Sequence, residues 1–231
     1  MENDSRTCWW STKPRHVTIL NDTIGWATPW CVALQHQIEQ GGDKCRLIHE
    51  AAEMRTGDVA FLLGCTRLVR QEHLKLHRHN LVVHASSLPR GRGFSPLKWQ
   101  ICEGINTIPL TLFEAVEGCD EGQVYDVTEV KFEGHELLNE MQDGIGKASN
   151  QLCIEWLAAP RLPVGKPQQG EKTTYKRRNQ EHQRLNPNAT IAEQFSILRT
   201  VDNCRFPAFF DLNGYRYELR ISKLSPDKNK C

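Results

Sequence analysis

No apolar run in the sequence approaches the ~20 residues that a membrane-spanning helix requires, so insertion into a bilayer is not expected. The opening residues, MENDSRTCWWSTKP, lack the apolar stretch of a secretory leader, and the expected location is cytoplasmic. There is no surplus of charge. Lys and Arg number 29 against 28 Asp and Glu, a net charge of +1, so no overall field draws the chain to nucleic acid or to an acidic membrane. Nine cysteines are present, at 8, 31, 45, 65, 102, 119, 153, 204 and 231, but no Cys-x-x-Cys pair. Structural zinc uses closely spaced ligand pairs, so no metal is expected. The thiols are read as reduced and mostly buried, behaving as small apolar side chains. No Gly-x-Gly-x-x-Gly follows the first apolar strand, which argues against a dinucleotide cofactor.

What is there is an ordinary globular composition: 231 residues, 39% hydrophobic and 25% charged. That excludes a disordered, collagen-like or coiled-coil chain and suits one large domain with a small appendage. After a tail over 1–14, HVTIL (16–20) reads as a buried strand ending at Asn21-Asp22. Trp30, Leu34 and Ile38 recur at helical spacing within 28–41, closed by Gly41-Gly42. CRLIHE (45–50), VAFLLGC (59–65) and LVVHA (81–85) read as further strands. Continuous apolar strands alternating with helical connections predict a Rossmann-like α/β fold, an open and mostly parallel sheet with helices on both faces.

SSLPRGRGFSP (86–96) is a Gly/Pro/Arg loop, 96–104 a short helix, IPLTLFEA (108–115) a strand and GQVYDVTEVKF (122–132) an alternating, half-exposed strand. Residues 134–158 carry a long amphipathic pattern. The expected organisation is therefore a domain over 15–158, an extended Pro- and Gln-rich arm over 159–190, and a tail over 191–225. That tail comprises a helix (191–201) and a β-hairpin turned by Asn213-Gly214.

In an open parallel sheet, function gathers at the carboxyl ends of strands. His84 ends LVVH, and Asp120 lies in the turn VEGCDEGQVY after a later strand. A histidine with a nearby carboxylate forms a general acid/base pair, the carboxylate orienting the ring and stabilising imidazolium. Taken alone this is weak, since a histidine at a strand end is most often structural and an Asp in a Gly turn is usually turn chemistry.

The surrounding residues sharpen it. HASSLPRGRGFSP followed by CDEGQVY resembles the formyltransferase family that uses N10-formyltetrahydrofolate, which includes methionyl-tRNA formyltransferases and nucleotide-sugar N-formyltransferases. The matching positions are His84, Ser86, Leu88, Pro89, Gly93 and Pro96, then Asp120 and Gly122 at the family's spacing of 36 residues after the histidine. The resemblance covers roughly 16–158, and YKRR…LNPNATIAEQFSILRTVDNCRFPAFFDLNGYRYELRI resembles the short tail of sugar N-formyltransferases acting on 4-amino-4,6-dideoxy sugars.

The resemblance implies transfer of the formyl group from folate N10 to the amine of a nucleotide-linked amino sugar, in surface polysaccharide (O-antigen, lipopolysaccharide) or other glycan biosynthesis. It implies His84 as base or proton relay and Asp120 as its orienting partner. Ser86, Leu88, Pro89, Arg90, Gly93 and Gly122 are implied as the border of the folate, with Arg92 beside them. Tyr175, Lys176, Arg177 and Arg178 are candidates for the sugar-nucleotide side, because arginine forks suit phosphate oxygens. The bland reading of such a run is a solvated face. Tyr175, Phe209 or Tyr215 could stack on a base, or simply pack. Arg199, Asp202 and Asn203 match the family's tail and either contact substrate or brace the hairpin, while the exposed hairpin is a candidate for pairing in a homodimer.

One position departs from the family. Where an Asn two residues before the histidine supports the oxyanion, this chain has Val82. Asn80 is a further alternate strand position away, about 6.6–6.8 Å, too far to substitute. Either another donor, a backbone N–H or the Ser86 hydroxyl, replaces it, or the oxyanion is less supported. Val82 also leaves open a non-catalytic, formyltransferase-like binding protein. Formyl transfer to another amine, such as glycinamide ribonucleotide, is disfavoured by the tail, and a tRNA acceptor by the balanced charge.

Overall fold

The computed structural model describes residues 10–224; residues 1–9 of the expected tail, with Cys8, and residues 225–231, with Cys231, lie outside them. Six strands form the central sheet: β1 (His16–Leu20), β2 (Lys44–Ile48), β3 (Gly57–Leu62), β4 (His77–His84), β6 (Thr107–Glu114) and β7 (Val124–Lys131), in the order β2-β1-β3-β4-β6-β7. β2, β1, β3 and β4 run parallel, whereas β6 and β7 are antiparallel additions at one side. The sheet is mostly parallel, as the continuous apolar strands predict. The antiparallel pair is where alternation of apolar and polar residues replaces a continuous run, because β7 is an edge with one face in water.

One sheet face carries Val17, Ile19, Phe61, Leu81 and Leu110 against α1 (Thr28–Gln40), α3 (Pro96–Cys102) and α4 (Leu138–Ala158). The other carries Leu20, Ala60 and Leu62 against Ile48, Met54 and Leu74 of short α2 (Gln71–Leu74). α1 meets α4 where Gly146 faces Trp30; a Cβ at Gly146 would lie 2.4 Å from the indole. α4 begins at Leu138 rather than 134, because the Glu136 carboxylate takes the backbone N–H groups of Glu133 and Gly134 and holds a turn there.

Residues 10–14 are not loose. Trp10 is buried, edge-on to Trp156, with its Nε1 donating to the Ala159 carbonyl at 2.9 Å. Arg15 then closes the base of the fold. Its guanidinium donates to both oxygens of Asp43, the shortest contact being 2.6 Å, and to the Leu157 carbonyl at 2.9 Å, while lying 4.7 Å over the Trp10 ring. Three segments remote in sequence are joined through one side chain.

The arm is stitched down through β8 (Thr174–Tyr175), which pairs in parallel with β5 (Arg92–Gly93) of the Gly/Pro/Arg loop. The expected helix over 191–201 shortens to α5 (Phe195–Leu198) between turns. β9 (Ala208–Leu212) and β10 (Tyr215–Leu219) form the hairpin, with Asn213 and Gly214 both at positive φ, as a type I′ turn needs. The cysteines are less buried than expected: Cys31, Cys45 and Cys153 are inside, Cys119 and Cys204 exposed, and Cys65 and Cys102 between.

Burial opposes ionisation of Asp43, but the Arg15 hydrogen bonds outweigh it and hold the carboxyl below its ordinary value. The stabilisation is therefore complete above the usual aspartate range and is lost as pH falls through the lowered value. Asp43→Asn should cost about 3–5 kcal/mol in denaturant unfolding at neutral pH by leaving Arg15 uncompensated. That deficit should shrink below about pH 4, where the unfolded chain's aspartate begins to bind the proton that the folded one still excludes.

Candidate active site

A cavity of about 760 Å³ opens beside the carboxyl ends of β3 and β4 and is walled by α1 and α4. His84, the last residue of β4, reaches it because the strand ends there and the chain turns at once, Ser86 N–H donating to the His84 carbonyl at 2.9 Å. The His84 ring is 10% exposed, and its Nε2 lies 2.8 Å from the Gly91 carbonyl. A carbonyl only accepts, so Nε2 carries the proton in the neutral ring and Nδ1 holds the lone pair. The orienting group is thus the Gly91 carbonyl, a role the sequence assigned to Asp120.

Asp120 is nevertheless brought to the same place. Its Oδ2 lies 3.9 Å from His84 Nε2, an ion-pair distance and too long for a hydrogen bond. The carboxylate is aimed by Gly93, whose backbone N–H donates to Oδ2 at 2.8 Å, and by the residue's own left-handed backbone at φ 53°. Protonation of His84 would place a positive charge facing this acid. The neighbouring thiol does not compete as a nucleophile, since partial desolvation of its sulfur, in a residue otherwise exposed, and the Asp120 carboxylate push Cys119 up to about 11.

Gly93 and Gly122 carry the geometry. Gly93 sits at φ 93°, and a Cβ there would meet the Tyr175 carbonyl at 2.5 Å. A Cβ on Gly122 would run into the Glu114 carbonyl at 1.6 Å, so the Asp120 turn can lie flat on β6 only with glycine.

The other expected residues separate into groups. Of the folate-border set, Gly93 lines the cavity. The Ser86 hydroxyl is buried without a hydrogen-bond partner, Leu88 is buried in the loop, and Arg90 is exposed. Pro89 and Gly122 line a smaller pocket of about 290 Å³ with Arg92, whose guanidinium is committed to Glu121 and Gln168 at 2.6 Å each. Arg177 and Arg178 line the main cavity, Arg177 4.2 Å over the Phe94 ring and Arg178 4.9 Å over Trp99. Tyr175 stacks on Trp99 and donates to Glu103, and the Lys176 carbonyl takes the Trp99 indole N–H. Arg199 and Asn203 are bracing residues. Arg199 donates to Glu136 and Asn106, and Asn203 exchanges hydrogen bonds with the Ile221 backbone. Phe209 is buried under the Arg184 and Arg216 guanidiniums, and Tyr215 is exposed on the hairpin.

Asn80, as expected, offers nothing to the reacting centre, since its Nδ2 donates to the Leu74 carbonyl. Val82 lines the cavity instead. Asn150 was missed by sequence reasoning. Its Nδ2 donates to the Trp30 carbonyl, while Oδ1 is buried and unpaired in a residue of the cavity wall. The signal was available: Leu138, Gln142, Gly146 and Asn150 recur every four residues along one face of α4, and all line the cavity. A polar interruption of an apolar stripe marks a face that is not all core.

Comparison with known proteins identifies the family. The family described as "Formyl transferase" matches residues 26–157, more than half of the chain. Methionyl-tRNA formyltransferase of Lachnospira eligens is 27% identical over 153 residues, 64% of this chain and 49% of that protein. The chain thus spans about half the length of the curated relatives it matches. Among solved structures, a methionyl-tRNA formyltransferase from Clostridium thermocellum superposes with a TM-score of 0.78 at 20% identity, covering 93% of this chain and 95% of the other. A sugar N-formyltransferase from Shewanella gives 0.65 at 15%, covering 92% and 99%. HypX from Aquifex aeolicus, in complex with tetrahydrofolic acid, gives 0.69 at 18%, covering 90% and 38%. At these identities the structural likeness is one of fold. The chain belongs to the formyl transferase family, a class of folate-dependent, formyl-transferring enzymes.

Gly93→Ala should push β5 from β8 and lengthen the Asp120 tether. We expect a stability loss of about 1–3 kcal/mol from strain and overpacking, read by denaturant unfolding, with faster amide exchange at residue 93 than in the parent.

Proposed function

We propose that this protein moves a formyl group from N10-formyltetrahydrofolate to the primary amine of a nucleotide-linked amino sugar, of the 4-amino-4,6-dideoxy type. The observation that carries the reading is the meeting of His84 and Asp120, 36 residues apart in the chain, at one cavity large enough for a folded cofactor beside a sugar. The cavity suits a flat heteroaromatic donor. Val82, Leu110 and Ile145 give apolar wall, with Asn150 a polar residue among them. When bound, the folate supplies a formyl carbon on nitrogen, open to attack by an amine.

The residues then do three things. The walls hold donor and acceptor side by side, which replaces a bimolecular encounter by proximity. His84 Nδ1 takes the proton that the amine sheds as its nitrogen bonds to the formyl carbon, and the carbon's bond to N10 breaks as that nitrogen regains a proton. Asp120 faces the resulting imidazolium and stabilises it. With Val82 in place of a side-chain donor, oxyanion support in this reading falls to backbone N–H groups of the loop. Arg177 and Arg178, at the cavity wall, suit the acceptor's diphosphate. The Shewanella sugar enzyme, covered over nearly its whole length, supports the sugar acceptor. So does the absence of the large basic surplus that a tRNA ligand rewards. The names of the sequence relatives favour the second reading, methionyl-tRNA as acceptor, and so does the Clostridium thermocellum enzyme, covered over 95% of its length at a TM-score of 0.78.

His84→Ala and Asp120→Asn should each lower turnover by about 10²–10⁴ while folate binding persists. Product is scored by mass spectrometry as the gain of one CO on the acceptor. Incubation with a panel of amino-sugar nucleotides and, in parallel, charged methionyl-tRNA separates the readings. Formylation of the tRNA alone overturns the sugar acceptor, and no formylated product with any amine overturns the catalytic reading.

A further inference from the structure

The cations at the cavity, Arg67, Lys98, Arg177 and Arg178, form no ion pair among the described residues. Lys98, on α3, lines the cavity and is half-buried. Its ammonium makes no hydrogen bond and no ion pair among the described residues. Its neighbour across the cavity wall is Arg178, delivered by the arm just beyond β8. Arg178 is itself incompletely satisfied. Nη2 donates to the His182 carbonyl at 3.0 Å and Nη1 reaches the Cys102 sulfur at 3.6 Å, but Nε is buried without a partner.

The acid nearest this pair is already spent. Asp202 receives Arg205 Nε at 2.8 Å and the backbone N–H groups of Cys204 and Arg205. The groups that act electrostatically on Lys98 are therefore Cys102 on its own helix, Arg178 from the arm, and Asp202 and Arg205 from the segment after α5. Two like charges acting on one another, partly stripped of water and facing an acid, Asp202, that Arg205 already engages, are unfavourable until an anion joins them. The fold elsewhere pairs its buried cations thoroughly, as Arg15 and Arg199 show.

We propose that Lys98, together with Arg178, forms the seat of a phosphate group of the acceptor and selects nucleotide-linked over free amino sugars. This rests on reading the acceptor as a nucleotide-linked sugar and adds the residue that discriminates. Burial first, then the Arg178 charge, brings the lysine down to about 8. A bound phosphate reverses that balance by stabilising the ammonium, so binding is accompanied by proton uptake at a pH near 8.

The test is isothermal titration of the full chain with a nucleoside diphosphate and, separately, with inorganic pyrophosphate. Each is run near pH 8 in two buffers of different ionisation heat. The variants are Lys98→Met, Lys98→Arg and, as a surface-charge control, Lys131→Met on exposed β7. We expect Lys98→Met to weaken both probes at least tenfold and to abolish the buffer-dependent heat. Lys98→Arg should restore affinity to within a few fold without proton uptake, and Lys131→Met should match the parent. Thermal unfolding should find Lys98→Met no less stable than the parent, because it removes a like-charge contact. Equal binding of the probes by parent and Lys98→Met overturns the assignment of Lys98 and leaves the sugar-nucleotide reading intact. Failure of the parent to bind either probe overturns both.

Discussion

The site depends on one hydrogen bond between backbone and side chain. Gly93 N–H holds the Asp120 carboxylate at 2.8 Å, and through it two segments 27 residues apart are fixed to each other. The same loop, two residues earlier, presents the Gly91 carbonyl to His84. The short strand β5 and the glycine just before it therefore set both the protonation pattern of the imidazole and the place of the acid that faces it. The left-handed backbone at Gly91, Gly93 and Asp120 is the local cost of this arrangement.

The parallel core was legible because a sheet covered on both faces demands unbroken apolar strands. HVTIL, VAFLLGC and LVVHA have no other ready interpretation. His84 and Asp120 were legible through their loop residues, since fixed glycines and a proline at fixed offsets are constraints that a backbone imposes on its own sequence. Less visible was everything made by backbone atoms. The Gly91 carbonyl leaves no residue type behind, so the ring's orienting group was assigned to a side chain. Tertiary packing decided other cases. Trp10 looked like part of a loose tail until Trp156, 146 residues on, supplied its partner. Arg199 and Asn203 read equally well as contacts to substrate or as braces, and only the positions of Glu136 and Ile221 separate the two.

The distribution of satisfied and unsatisfied polar groups has its own pattern. Charges that tie the scaffold together are fully paired: Arg15 with Asp43 at the base, and Arg199 with Glu136 at the junction with the hairpin. Asn150 Oδ1, Arg178 Nε and the Lys98 ammonium lack partners among the described residues, and all three belong to residues of the cavity wall. His77 Nδ1, Asn80 Oδ1 and Trp156 Nε1, away from the cavity, are likewise buried without a partner among the described residues, so the wall is one of several places where polar groups go unmatched.

The pairing of β5 with β8 ties the chemistry to the arm. Gly91 N–H donates to the Thr173 hydroxyl, Arg92 N–H to the Thr173 carbonyl and Phe94 N–H to the Tyr175 carbonyl. The strand that aims the acid and the strand that leads into Arg177 and Arg178 are thus neighbours in one ladder. In the function proposed above, exchange of the arm for that of a relative would disturb proton transfer as well as acceptor choice, and a graft would have to carry residues 91–94 along with 173–178.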